Sequence, residues 1–380
     1  MKRLISIILS VLLVTALLTG CAGGSTNEIR IGINYELSGE VATYGQSSVE
    51  GIELAIEQIN AAGGINGKKI KPIKYDTMSD PAEATTLATK LMTQDKVLVV
   101  LGPATSGSFM AQIPVANDNK IPVISGSATA DEVTVDEKGV KEYAFRICFS
   151  DSFQGTSMAN YALEKLGSKR AVIIMDSSSD YGKGLAENFV KTFEAGGGTI
   201  VAQEAYVKND TDFNAILTKI KGQDFDVIFI PGYYNEAGLI IKQARAQGID
   251  TPILGADGFD SPVLLELAGP EALNNIYFSN HYSSLDEDPK VVQFISDFKA
   301  KYNKEPDAFN ALGYDLAMFA ADAIGRAEKL TGESIKEALE ATENFSGVTG
   351  TFSVDENHNP VKSVVIISLK DGVQATSEKF

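Results

Sequence analysis

Hydrophobic residues recur along this chain in two alternating patterns. Short aliphatic runs at residues 96–101, 121–125, 171–175 and 226–230 are each bounded by Gly, Pro, Ser or Asp, as buried strands are. Between them lie stretches in which apolar residues return every three or four positions. Within 47–62 these are Ile52, Ala55, Ile56 and Ile59, and Gly63-Gly64 offers the positive φ that closes a helix. Asp80-Pro81-Ala82-Glu83 combines a capping Asp, a Pro at the first helical position and a Glu three residues after the cap, ahead of Leu87 and Leu91. Asp288-Pro289 opens a further helix with Val291, Phe294, Ile295 and Phe298 inward, and 308–329 forms a long one. After Gly347 the pattern turns to strands at 351–354 and 364–369, around a turn at 356–360. Strand and helix alternate almost throughout, which predicts an α/β fold with mostly parallel sheet.

The first twenty residues stand apart from this pattern. A basic start (Lys2, Arg3) precedes an apolar run over 4–18, shorter than the ~20 residues a helix needs to cross a bilayer, so 1–20 is expected to be a cleaved signal sequence. Its end, Leu18-Thr19-Gly20-Cys21, resembles the lipobox of bacterial lipoproteins. That resemblance implies lipidation of Cys21 as the first mature residue, a Gly/Ser/Thr-rich tether over 21–27, and an extracytoplasmic protein held to the bacterial cell membrane by its lipid alone.

Charge and cysteine content narrow the function further. The formal charge is −17, and removing residues 1–20, which carry Lys2 and Arg3 and no acid, takes it to −19. Such a surface repels nucleic acid, so no nucleic-acid function is expected. Beyond Cys21 only Cys148 remains, which excludes an internal disulfide in the mature chain. Two histidines (His281, His358) and no cysteine pair give no zinc site of the usual kind, and no cofactor is expected. The remaining 360 residues exceed what one core usually serves, which predicts two lobes.

Ligands of parallel α/β sheets settle beyond the carboxyl ends of the strands, so the loops there are the place to look. After 96–101 comes Gly102-Pro103-Ala104-Thr105-Ser106-Gly107-Ser108, and after 121–125 comes Gly126-Ser127-Ala128-Thr129. Both are small and rich in hydroxyls, suited to a carboxylate at helix-start amides, with Ser106 and Thr129 the prime donors. Ordinary helix caps have the same composition. Later loops add Asp176…Tyr181-Gly182, Gly232-Tyr233-Tyr234 and Gly255-Ala256-Asp257-Gly258. Asp257 is a candidate partner for an ammonium group, although Asp/Gly turns also occur without ligands. If the two sets of loops lie on different lobes, a zwitterion bridges them, which describes an α-amino acid. The rival reading is a cleft enzyme using Asp176, Asp180 and Asp257, but no nucleophile elbow, phosphate loop or metal spacing accompanies them.

The chain also resembles the branched-chain amino-acid binding proteins of ABC importers, from about residue 29 to 372. Four stretches carry the likeness: 60–68 (Asn-Ala-Ala-Gly-Gly-Ile-Asn-Gly-Lys), 181–185 (Tyr-Gly-Lys-Gly-Leu), 232–238 (Gly-Tyr-Tyr-Asn-Glu-Ala-Gly) and 347–352 (Gly-Val-Thr-Gly-Thr-Phe). The resemblance implies the type I periplasmic-binding-protein fold, two Rossmann-like lobes with parallel sheets joined by three hinge crossings, near 144–149, 277–282 and 349–354. One lobe is expected to hold 28–146 and 281–350, the other 147–280 and 351–380. By residue, it implies that Ser106, Ser127, Ala128 and Thr129 bind the ligand carboxylate and that Tyr181, Tyr233 and Asp257 complete the site. Tyr44 and Phe309 match pocket-wall aromatics. The family acid is often Glu, so Asp257 is shorter, and Thr105 makes one wall more polar than an aliphatic pocket requires. Cys148, at a crossing, reads as a buried structural thiol. The function implied is capture of a branched-chain or other small amino acid by a monomer that delivers it to an ABC permease, with amino-acid sensing through a separate receptor as the alternative.

Overall fold

The computed structural model describes residues 27–380, so the expected signal sequence and Cys21 lie outside the described residues. Two main sheets organise the chain. The first is parallel throughout, in the order Lys69–Asp76, Glu28–Tyr35, Val100–Leu101, Val123–Ser125, Ala144–Arg146. The second runs Val373–Lys379, Val365–Lys370, Ile276–Asn280, Ile253–Gly255, Val227–Phe229, Arg170–Asp176, Thr199–Tyr206. Its last five strands are parallel, and Val365–Lys370 and Val373–Lys379 join antiparallel at the edge. The architecture is α/β, as expected, with lobes built on mostly parallel sheets.

The strands form where the hydrophobic runs predicted them because both faces of each sheet are covered. Ile31, Ile33, Leu101 and Ile124 have no exposure in the first sheet, and Val172, Ile173, Ile228 and Phe229 have none in the second. Each such side chain stabilises the fold by about 1.5–3 kcal/mol relative to exposure. Helix ends follow the local chemistry. Asp80 accepts from Ala82 and Glu83 N–H at the start of Pro81–Thr93, and Asp288 accepts from Lys290 N–H at the start of Pro289–Tyr302. Gly63, at φ +116°, turns the chain after Ala42–Ala61. That helix lies against Ala308–Arg326 so closely that a Cβ on Gly51 would stand 2.0 Å from the Asn310 carbonyl oxygen.

In the first sheet the strand order reverses beside Glu28–Tyr35, and in the second beside Arg170–Asp176. At such switch points adjacent loops part in opposite directions and leave a crevice. The loops after Glu28–Tyr35 and Val100–Leu101 flank one crevice; those after Arg170–Asp176 and Val227–Phe229 flank the other.

One expected boundary moves. The segment 351–360 was assigned to the second lobe, yet Phe352 packs on Phe319 and Phe345, Val354 N–H donates to Thr342 O, and His358 Nδ1 lies 3.0 Å from Ala144 O. Those partners all accompany the first sheet. The third crossing therefore falls at 361–364, just before Val365–Lys370, and not at 349–354. Apolar packing keeps Phe352 with the first sheet, past the point that the resemblance implied.

Candidate ligand-binding cleft

The residue after Glu28–Tyr35 is Glu36, fully buried at the first switch point. Its carboxylate accepts from Ala104 N–H (2.9 Å), Thr105 N–H (3.1 Å) and the Thr105 hydroxyl (2.8 Å). Burial pushes the Glu36 carboxyl above its ordinary range, and these donors oppose that rise. An acid not singled out in the sequence thus fixes the loop entering helix Ser106–Asn119. The Thr105 hydroxyl is engaged within the protein, with Ser108 Oγ its second neighbour at 3.0 Å. The wall it forms is accordingly less polar than its residue type suggested.

Hydroxyls from two loops interlock beside it. Ser106 Oγ accepts from Ala130 N–H (3.0 Å), which leaves its own proton available to a ligand. Ser127 donates to Ala104 O (3.0 Å). Ala128 N–H donates to Ser125 Oγ (2.9 Å), and Thr129 O accepts from Asp151 N–H (2.7 Å) and Arg146 Nη1 (2.8 Å). Ala128 and Thr129 are wholly buried behind the cavity wall, whereas Thr105, Ser106 and Ser127 line it.

The opposite wall comes from the second switch point. Ser179 caps helix Asp180–Ala195 and sets Tyr181 in its first turn, and Tyr233 precedes helix Tyr234–Ala246. The two rings stack at 4.9 Å with 9° between planes. The Tyr181 hydroxyl donates to Asp257 Oδ1 (2.8 Å) and accepts from Gly258 N–H (3.0 Å). Asp257, 3% exposed, also receives Gln154 Nε2 (3.1 Å) and faces His281 Nε2 at 3.3 Å. Burial lowers the His281 pKa to about 4, so the ring is neutral near pH 7 and this contact is a hydrogen bond rather than an ion pair. Burial, with Asp257 next in size, raises the Tyr181 hydroxyl well above its usual value and keeps it a proton donor.

Aromatic side chains join the walls. Tyr44 stacks on Phe309 at 4.3 Å, meets Tyr233 edge-on at 5.7 Å, and its hydroxyl donates to Gly258 O across the interface. Thr43 and Ser261 hydroxyls meet at 3.1 Å, and Tyr234 and Asn235 both donate to Glu40 O at 2.8 Å. The cavity between the walls is about 10 Å³, room for roughly one water. The cleft is closed in this structure, and anything as large as an amino acid enters as its walls part.

Eight of the ten expected residues line this cavity: Tyr44, Thr105, Ser106, Ser127, Tyr181, Tyr233, Asp257 and Phe309, joined by Ala104 and Gly258. The three acids of the enzyme reading do not gather. Asp176 closes a local turn through Ser178, Asp180 stands exposed beside Lys183, and only Asp257 enters the cleft. Cys148 is fully buried and its thiol pushed up to about 12 by that burial, as a structural thiol should be. Among the described residues no group of His, Cys, Asp and Glu suits a metal, and no helix is long and apolar enough to cross a membrane.

Two α/β lobes closing over a small polar and aromatic cavity define a ligand-binding protein. Residues 28–374 match the family described as Periplasmic binding protein, and the chain belongs to that family of binding proteins. It is 31% identical over 333 residues, 87% of each chain, to the leucine-, isoleucine-, valine-, threonine- and alanine-binding protein of Pseudomonas aeruginosa. Among solved structures it resembles the branched-chain amino acid transporter substrate binding protein LivJ of Streptococcus pneumoniae in complex with isoleucine. The TM-score is 0.88 and the identity 45%, over 93% of this chain and 99% of that one. It also resembles a solute binding protein of an ABC transporter from R. palustris in complex with benzoate, with TM-score 0.82 and 27% identity over 92% and 95% of the chains.

Proposed function

We propose that this protein is the substrate-binding component of an ABC importer and that it captures an amino acid with an aliphatic side chain, the branched-chain amino acids first among them. The observation that carries this reading is the opposition of Asp257, buried on one wall, to the Ser106 hydroxyl with its free proton on the other, with Tyr44, Tyr181, Tyr233 and Phe309 between. A zwitterion meets both ends of that arrangement: hydroxyl and helix-start amides take its carboxylate, and Asp257 takes its ammonium. Benzoate, bound by one structural relative, has only the carboxylate, and the buried acid argues for a ligand that has both. The engaged Thr105 hydroxyl favours an aliphatic side chain. Delivery follows closure, because the closed form is the one a permease distinguishes. Cys21 lipidation holds the monomer at the outer face of the cell membrane, and the crossings near 144–149, 277–282 and 361–364 serve as its hinge.

Calorimetry with leucine, isoleucine, valine, threonine and alanine, and with 4-methylpentanoate and benzoate as ligands lacking an ammonium, tests the reading. Aliphatic amino acids should bind and the acids should bind far more weakly. Asp257→Ala should cost about 2–5 kcal/mol of amino-acid affinity by leaving a buried ammonium unpaired. No binding of any amino acid, or unchanged affinity in Asp257→Ala, overturns it.

A further inference from the structure

Asp257 does not stand alone in the second lobe. Gln154, wholly buried in the first turn of helix Asp151–Glu164, grips the residue twice: Nε2 donates to Oδ1 (3.1 Å), and Oε1 accepts from the Asp257 N–H (3.2 Å). The Asp257 N–H, which can only donate, settles which end of the amide is oxygen, and the Ser279 hydroxyl donates to that same Oε1 (2.7 Å). On the other carboxylate oxygen, Oδ2, the neighbour is His281 Nε2 at 3.3 Å. The His281 ring stacks face to face on Phe149, with centroids 3.6 Å apart. Phe149 and His281 lie at the first and second crossings between the lobes. The acid is thereby tied on one side to a helix and on the other to both of those crossings.

We infer that Gln154 and His281 are positioning residues that aim the short Asp257 carboxylate at the ligand's ammonium group, and so set the preference for amino-bearing over deaminated ligands. The inference rests on the reading of Asp257 given above. Three donors, Tyr181, Gln154 and His281, confine a side chain that has only two rotatable bonds to one orientation. The His281 ring is neutral, since burial outweighs the Asp257 charge that would favour protonation. Neutrality matters chemically: an imidazolium at this distance would neutralise the carboxylate meant for the ligand, whereas a neutral Nε2–H orients it and leaves its charge available. The charged groups within reach are Asp257 and Lys362, the latter working against ring protonation. Neither positioning side chain lines the cavity, so neither acts by touching the ligand.

Isoleucine and 3-methylpentanoate, which differ by the amino group alone, distinguish this role from a structural one. In the full-length protein, His281→Phe keeps an aromatic ring against Phe149 and removes the donor. It should weaken isoleucine about ten- to hundredfold, the scale of one hydrogen bond to a charged group, and leave 3-methylpentanoate within about twofold. His281→Gln restores an N–H at similar reach and should recover most of the isoleucine affinity. Gln154→Met is the second variant, read in the same way should His281→Phe not fold. Equal weakening of both ligands, or no change in either, overturns the inference while the binding reading stands. A parent protein that binds the two ligands equally well instead overturns the assignment of Asp257 itself.

Discussion

Glu36→Gln isolates the part of the cleft that the residue pattern alone did not reveal. The carboxylate accepts three hydrogen bonds, two from Thr105 through Oε1 and one from Ala104 through Oε2. A glutamine turned to satisfy Thr105 points its NH2 at the Ala104 N–H, so at least one charge-assisted bond is lost and a buried donor is left facing another. At about 1.5–3 kcal/mol for a bond to a charged group plus the unpaired amide, the gross loss is about 2–4 kcal/mol. Against it stands the removal of a buried charge, whose cost is visible in the upward shift of the Glu36 carboxyl by burial. The net expectation is a destabilisation of about 1–3 kcal/mol, which lowers Tm by roughly 2–4 °C per kcal/mol in a unit of this size. Because the loop also presents Thr105 and Ser106, amino-acid affinity should fall about tenfold. The sign with pH follows from the raised carboxyl: ionised Glu36 is the penalised form, so the parent gains stability as acidification protonates it, the variant lacks that gain, and the stability difference should widen as pH falls. Scanning calorimetry and ligand titration across pH 5–8 measure both effects. A variant as stable and as tight-binding as the parent at pH 8 refutes the role given to Glu36.

Three further outcomes are expected. Tyr44→Phe removes the hydroxyl that reaches Gly258 O across the closed cleft and should weaken ligand binding by about 0.5–1.5 kcal/mol, measured by calorimetry, with little change in unliganded Tm. Asp307, N-cap of helix Ala308–Arg326, lies near Asp260, which accepts from Ala308 N–H across the lobe interface; burial first and the Asp260 charge second push Asp307 up to about 7. A raised folded-state value means stability that is present at low pH and lost as pH rises through about 7, so Tm should increase from pH 8 to pH 6, and Asp307→Asn should flatten that slope. Cys148, with its thiol raised to about 12, should resist a thiol reagent at pH 8 in a form of the protein beginning at residue 27 and react fully in guanidinium.

What the sequence disclosed and what it withheld divide along physical lines. Periodicity located buried strands because full burial demands unbroken apolar runs, and 226–230 and 364–369 fall on Val227–Phe229 and Val365–Lys370. Loops after strands were legible as site candidates because sheet topology, rather than any individual residue, puts ligands there. Ala128 and Thr129 show the limit of that reasoning. Their loop reaches the cleft through Ser127, but the backbone groups of Ala128 and Thr129 are taken by Ser125, Arg146 and Asp151, and neither residue lines the cavity of the closed form. Glu36, Gln154 and His281 gave no local signal, since what defines them is a partner 68, 103 or 24 positions away. The shifted third crossing has a similar origin: residues at 351–354 follow a hairpin with Phe345–Gly347, and contacts distant in sequence, to Phe319, Thr342 and Ala144, show which lobe the segment serves.

The distribution of hydrogen bonds also predicts how the ligand drives closure. Each half of the site is assembled within its own lobe: Glu36 holds the Thr105–Ser106 loop from one side, and Gln154, Tyr181 and His281 hold Asp257 from the other. Opening the cleft breaks none of these bonds. Those it breaks lie between lobes, among them Tyr44 to Gly258, Thr43 to Ser261, Asp260 to Ala308, Tyr234 and Asn235 to Glu40, and the Lys208–Glu40 ion pair, all polar and replaceable by water. A ligand shifts such an equilibrium only by its differential affinity for the closed form, and an amino acid gains that difference by grounding one charged end in each preformed half. An acid without the amino group engages one half only and has little preference for closure. Small-angle scattering should therefore show a smaller radius of gyration with isoleucine than with 3-methylpentanoate, both at saturating concentration. Equal compaction by the two ligands would show that closure follows from occupancy of the carboxylate loop alone, and that Asp257 contributes affinity without contributing to the motion.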